Sequence, residues 1–97
     1  MNDIFFAALA NSYRREIIRL LKKKSLSAGE IAAHFDISKP SISRHLEQLK
    51  NAELVVAKRK GNQIIYSLNM SVMQEMGMEL IELFSAKEED SSWKTER

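Results

Sequence analysis

Cysteine is absent from the 97 residues, proline occurs once, and glycine only three times. Without cysteine there can be no disulfide and no thiolate metal site. No apolar run approaches the roughly 20 residues of a membrane-spanning helix. The N-terminus has no secretory pattern, so a cytoplasmic protein without direct membrane insertion is expected. Also missing are a phosphate-binding glycine loop, a serine with histidine and acid in a plausible order, and a carboxylate pair in an obvious cleft. An enzyme is therefore not expected, and neither is a cofactor. What is present, 44% hydrophobic and 29% charged residues, describes an ordinary globular chain with one modest core.

Charge is unevenly placed. Residues 1–70 hold 12 Lys/Arg against 6 Asp/Glu, a net of +6, and residues 71–97 hold 3 against 7, a net of −4. A basic body with an acidic end suggests a polyanion partner for the body, although a solvated surface with chance asymmetry gives the same tally.

Apolar spacing predicts a short helix over residues 3–9 and a second over 12–24, the latter ending in Lys22, Lys23 and Lys24, which complement its negative end. Ser27 and Glu30 form a capping box for a short helix running to about His34. Phe35, Asp36 and Ile37 make a turn, and Ser38 caps a helix from 39 to about 52 with Pro40 in its first turn. Its apolar beats, Ile42, Leu46 and Leu49, lie within about 60° on a helical wheel. Pro40, Arg44, Glu47, Gln48 and Asn51 point the other way, with Ser41 and Ser43 on the flanks. Leu54 to Arg59 and Gln63 to Leu68 read as a β-hairpin with a basic tip around Lys60, Gly61 and Asn62. A last helix starts between Asn69 and Ser71 and runs to about Phe84. Residues 85–97 read as a polar, disordered tail.

This order of elements is a mainly α winged helix-turn-helix with a small β-hairpin wing. In such a fold the N-terminal half of the second helix of the pair enters a major groove. Small side chains let its backbone approach phosphates, and a few long donors reach base edges. Lys39, Ser41, Ser43 and Arg44 supply that mix, and Arg59, Lys60 and Asn62 suit the backbone or minor groove.

The stretch SAGEIAAHFDISKPSISRHLEQLKNAELVVAKRKGNQIIYSL resembles the ArsR-type winged-helix repressors, most of all their metal-independent, SdpR-like autorepressor branch. The resemblance spans about residues 3 to 84. It rests on Ser38, Ser41 and Ser43 followed by His45-Leu46, then Leu49, Leu54-Val55 and the wing ending Tyr66-Ser67-Leu68. It implies a homodimer joined by its first and last helices, which binds an imperfect palindrome in double-stranded DNA and blocks transcription, its own promoter included. The DNA-binding residues it points to are Ser38, Lys39, Pro40, Ser41, Ser43, Arg44 and Gln48, with Arg59, Lys60 and Asn62 on the wing. The dimer seam would be Ile4, Phe5, Leu9, Met73, Met76, Leu80, Leu83 and Phe84. Two departures stand out: Asn11-Ser12 where the family commonly has Asp-Pro, and Glu53 where it favours glycine. In a left-handed turn a non-glycine residue costs roughly 1 kcal/mol.

Several residues admit two readings. His34 and His45 lie on different helices with no adjacent carboxylate pattern, and the last helix has Glu75, Glu79 and Glu82 but no Asp or His. No metal site is expected, because borderline and soft metals need nitrogen or sulfur ligands. His45 sits at the edge of its helix's apolar face, which favours packing over base contact. Met70, Met73, Met76 and Met78 suit a dimer seam better than a pliable ligand pocket, and a releasing ligand or partner stays unknown. Arg14 and Arg15 can reach phosphates or pair with Glu16 or Asp3. Trp93, alone in the tail, is either unattached or an anchor for a partner. The rival functions are a winged-helix module for protein–protein assembly and a repressor released by a small ligand in the seam.

Overall fold

The computed structural model describes residues 2–85. Its elements are α1 (Asp3–Leu9), α2 (Ser12–Lys23), β1 (Leu26–Ser27), α3 (Ala28–Ala32), α4 (Lys39–Asn51), β2 (Val55–Lys60), β3 (Gln63–Leu68) and α5 (Met70–Phe84). A short polar side chain starts each helix. Asn2, Asn11, Ser27, Ser38 and Asn69 each accept the backbone N–H three residues on, which satisfies a donor that has no helical partner. At Ser27 the exchange is reciprocal: its N–H donates to Glu30 Oε1 at 2.8 Å, and the Glu30 N–H donates to Ser27 Oγ at 3.2 Å.

The helical faces close on one core. Ile17 and Leu21 of α2, Ile31 of α3, and Ile42, Leu46 and Leu49 of α4 are buried together with Phe5, Leu26, Leu54 and Val55. The three α4 residues are the aliphatic beats of its wheel, and their burial fixes which face of that helix looks outward. Packing of α3 and α2 against α4 completes the helix-turn-helix. Between α3 and α4, α3 ends at Ala32, two residues earlier than its apolar pattern suggests. The amides of Ala33, His34 and Phe35 then bond back in tight turns.

The hairpin belongs to a three-stranded antiparallel sheet in the order β1-β3-β2. Leu26 pairs with Tyr66 and Ser27 with Ile65, so the residues that open α3 also anchor the wing to the body. That third strand was not foreseen from the sequence. Between β2 and β3 the register runs from Val55 opposite Leu68 to Lys60 opposite Gln63. The turn is Gly61-Asn62, with positive φ (64°) at Gly61 alone. This is the pattern of a hairpin turn with glycine at its first central position.

Only Met76 of α5 is buried, and Val72 and Met73 lean on the core. Phe5 and Met76, both expected at a seam between copies, lie inside the protomer at 4% and 6% exposure. A hydrophobic period marks a face for burial without saying against what. Ile4, Met78, Ile81, Leu83 and Phe84 stay largely uncovered. Among the described residues no helix is long and apolar enough to cross a membrane. Trp93 and the tail from residue 86 lie outside the described residues.

Candidate nucleic-acid interface

Ser38, Lys39, Pro40, Ser43, Arg44 and Gln48 are exposed along the outer side of α4, and Ser41 is half-buried beside them. The capping geometry accounts for two of the hydroxyls. Ser38 Oγ accepts from the Ser41 N–H at 3.2 Å and donates to Ser41 Oγ at 2.9 Å. Arg44 Nη2 is 3.5 Å from the same Ser41 oxygen, at the long limit of a hydrogen bond. Its guanidinium is therefore steered toward the N-terminal end of the helix without being held there. Ser43 makes no such bond and stays available.

On the wing, Lys58, Arg59, Lys60, Gly61 and Asn62 are all exposed. Among the described residues no carboxylate pairs with Lys39, Arg44, Arg59 or Lys60; ion pairs form elsewhere, between Arg19 and Glu16 and between Lys50 and Glu47. These unneutralised cations are the kind of charge that displaces counterions from a phosphate backbone.

Two grooves flank the first turn of α3, one beside α4 and one beside the wing. One is lined by Ala28, Gly29, Ala32, Lys39, Ile42 and Ser43. The other is lined by Ser27, Ala28, Gly29, Asn62, Gln63, Ile64 and Tyr66. Ala28 and Gly29 line both, so the first turn of α3 borders the groove beside α4 and the groove beside the wing. A Cβ on Gly29 would meet nothing closer than Ser27 Oγ at 4.0 Å, which leaves that turn open. The part played by Ala28 and Gly29 was not legible in the sequence, where they read only as the first turn of a helix.

His45 is packed. Its ring stacks on Tyr13 with centroids 5.6 Å apart, and Tyr13 meets Phe35 edge-on. Arg14 Nη1 lies 3.3 Å from His45 Nδ1. Burial, and then the positive charges of Arg14 and Arg44, hold the His45 pKa below the ordinary histidine value. Of the two readings open for Arg14 and Arg15, pairing with Glu16 or Asp3 is not found among the described residues. Their guanidinium groups instead donate to the carbonyls of Ala7, Ala8 and Leu9 at the end of α1. No group of three or more His, Cys, Asp or Glu among the described residues could hold a metal ion.

The family model for bacterial regulatory proteins of the arsR family matches residues 11–56, from the cap of α2 into β2. The transcriptional repressor SdpR of Bacillus subtilis (strain 168) is 52% identical over 75 residues, covering 77% of this chain and 82% of the relative. The chain belongs to the ArsR family. An arsenical resistance operon repressor of Staphylococcus aureus is 35% identical over 68 residues, or 70% of this chain and 65% of that protein. In fold, this ArsR-family chain matches an ArsR-like transcriptional regulator from Rhodococcus sp. RHA1 with a TM-score of 0.76. That match covers 97% of this chain and 83% of the other at 24% identity, which speaks for the fold alone. By kinship and winged-helix architecture, this ArsR-family member is a DNA-binding transcriptional repressor.

Proposed function

We propose that the chain represses transcription as a homodimer on an imperfect palindromic operator, and that its own promoter is among its targets. The α4 helix enters the major groove, with Arg44 and Lys39 reaching for base edges and Ser38, Ser41 and Ser43 seating the helix end against phosphates. Arg59, Lys60 and Asn62 lie on the backbone or minor groove. The observation that carries this reading is the set of exposed cations with no carboxylate partner among the described residues, Lys39 and Arg44 on α4 and Arg59 and Lys60 on the wing. A duplex partner places the protein in the cytoplasm. Residues 1–84 are the whole binding and dimerisation unit in this reading.

The dimer rests on uncovered apolar surface. Ile4, Ile81, Leu83 and Phe84 are 60–78% exposed, large apolar side chains of the kind that an interface covers. Beside them an apolar groove between α1 and α5 is lined by Phe5, Phe6, Leu9, Met73, Met76 and Leu80, among others. Its lining is apolar throughout, as the buried centre of an interface between copies is. A protein-assembly module would leave the basic wing tip without a purpose.

Selection of genomic fragments with the purified protein, followed by gel shifts on the winners and on scrambled duplexes, tests the reading. Tight, sequence-dependent binding by a dimer is the expected result. Binding that ignores sequence would contradict it.

A further inference from the structure

We propose that Arg14 and His45 form a positioning pair, which holds α4 at the attitude needed to read base edges while touching no base itself. The inference rests on the DNA-binding reading above. Arg14 stands in the first turn of α2, and its side chain reaches two other helices. Nε donates to the Ala8 carbonyl at 2.6 Å and Nη2 to the Ala7 carbonyl at 3.3 Å. These oxygens lie in the last turn of α1, where carbonyls run short of helical partners; the Ala7 oxygen also accepts the Ala10 N–H at 3.1 Å. Nη1 meets His45 Nδ1 at 3.3 Å. One planar fork thus joins α1, α2 and α4, a task that a single ammonium on a flexible stem cannot perform.

His45 is the neighbour of Arg44, the residue assigned to base edges. Tyr13 stacks on one face of the imidazole, braced in turn by Phe35. A small roll of α4 about its axis would carry Arg44 out of register with a base pair, and this clamp opposes that roll. Because α1 also belongs to the proposed dimer seam, the same link fixes each α4 relative to the two-fold axis. That relation sets the half-site spacing.

The chemistry of the link depends on protonation. A guanidinium can only donate, so Nδ1 must accept and the neutral ring carries its proton on Nε2. Protonation of the ring replaces the acceptor with a donor and sets two cations against each other. The titratable or charged groups facing the ring are Tyr13 and Arg14 from α2 and Arg44 from α4. Toward Arg14, α1 presents only main-chain carbonyls. No carboxylate among the described residues offsets the two arginines. Acidification therefore opens the link. Operator preference falls, while binding to random DNA, driven by charge, does not.

Wild type, Arg14→Lys and His45→Asn are titrated on a selected fragment and on its scrambled version, from about pH 8 to about pH 4.5, past the ordinary histidine range because the His45 pKa is lowered. Asparagine keeps an acceptor near the Nδ1 position and cannot take up a proton. Wild type should lose preference on acidification and His45→Asn should not. At neutral pH, Arg14→Lys should lower preference roughly 3- to 10-fold, the worth of one net hydrogen bond. Nitrogen-15 spectra of the ring should show a bare Nδ1 at neutral pH. Melting curves separate lost fold from lost alignment; should Arg14→Lys unfold, His45→Leu removes the acceptor and leaves the ties to α1. A wild-type pH profile in His45→Asn, a wild-type preference that does not respond to acid, unchanged neutral-pH preference in folded Arg14→Lys or His45→Leu, or a proton on Nδ1 would overturn the proposal. Absence of any preference in wild type would instead overturn the operator reading, and the pair's role with it.

Discussion

The backbone N–H of Leu54 donates to the carbonyl of Leu49 at 2.9 Å, and the turn it closes passes over Glu53 at φ 62°. The Glu53 N–H bonds to the Lys50 carbonyl at 2.9 Å, so α4 ends in the paired bonds of a left-handed cap. Both leucines are fully buried, which forces the turn on a residue poorly suited to it. Glu53→Gly should therefore stabilise the fold by up to about 1 kcal/mol, since glycine's greater freedom in the unfolded chain offsets part of the relief. The denaturant midpoint should rise and DNA affinity stay level. A lower midpoint would mean that the left-handed strain at Glu53 is negligible.

Ile81 and Phe84 are 62% and 78% exposed, so charge placed there leaves the protomer core alone. In a seam, a buried carboxylate is costly. The double variant Ile81→Glu, Phe84→Glu should weaken dimerisation roughly 100-fold or more, about 2.7 kcal/mol. Sedimentation at micromolar concentration reads it directly. A variant that stays as dimeric as wild type would move the seam elsewhere.

The Glu30 carboxyl is held below the usual carboxylate range, chiefly by the Ser27 backbone N–H and further by the Ser27 hydroxyl and Lys24, against an opposing effect of burial. A pKa lowered on folding gives stability that is present above the unfolded value near 4.5 and is lost as pH falls through the folded value. Glu30→Ala should therefore melt below wild type at neutral pH, with the gap narrowing in acid. A gap that stays constant from neutral pH into acid would show that the carboxylate's charge contributes nothing.

With no cysteine in the sequence and no three-ligand cluster among the described residues, zinc, cadmium and arsenite lack a first coordination shell. Added at modest excess, they should leave operator affinity unchanged. Stoichiometric release from DNA by any of them would refute this.

Local chemistry made much of the fold legible. The caps at Ser27 and Ser38 and the inward beats at Ile42, Leu46 and Leu49 follow from residue types at fixed spacing, and all appear in the structure. What escaped depends on distant partners. Leu26 and Ser27 are too few to show a strand period, and they become β1 only because Tyr66 and Ile65 arrive beside them. Arg14 looked like a surface charge, whereas its reach to His45 crosses 31 positions of chain. Phe5 and Met76 show how a period announces burial without distinguishing the protomer's own core from a seam. The proposed DNA contacts are exposed apart from half-buried Ser41, and contact itself is a property of the complex.

Reading and holding should separate between Arg44 and Lys60. Arg44 is exposed on α4 and steered toward the helix start by Ser41; Lys60 is exposed at the wing tip. A bidentate guanine contact is worth about 1–3 kcal/mol, so Arg44→Ala should lower operator affinity roughly 5- to 150-fold and random-DNA affinity less. Lys60→Ala should weaken both by similar factors and reduce the slope of log affinity against log salt by about 1 per protomer, as one fewer counterion is released. Ser43 tests the seating of the helix. Its exposed side chain lines the groove beside Ala28 and Gly29, so Ser43→Leu should block docking by bulk while Ile42, Leu46 and Leu49 keep the helix folded. Titrations of the three variants on operator and scrambled duplexes at several salt concentrations distinguish these roles. Equal losses for Arg44→Ala on both duplexes would make Arg44 a phosphate contact, and the base-reading role would then pass to Lys39 or Gln48.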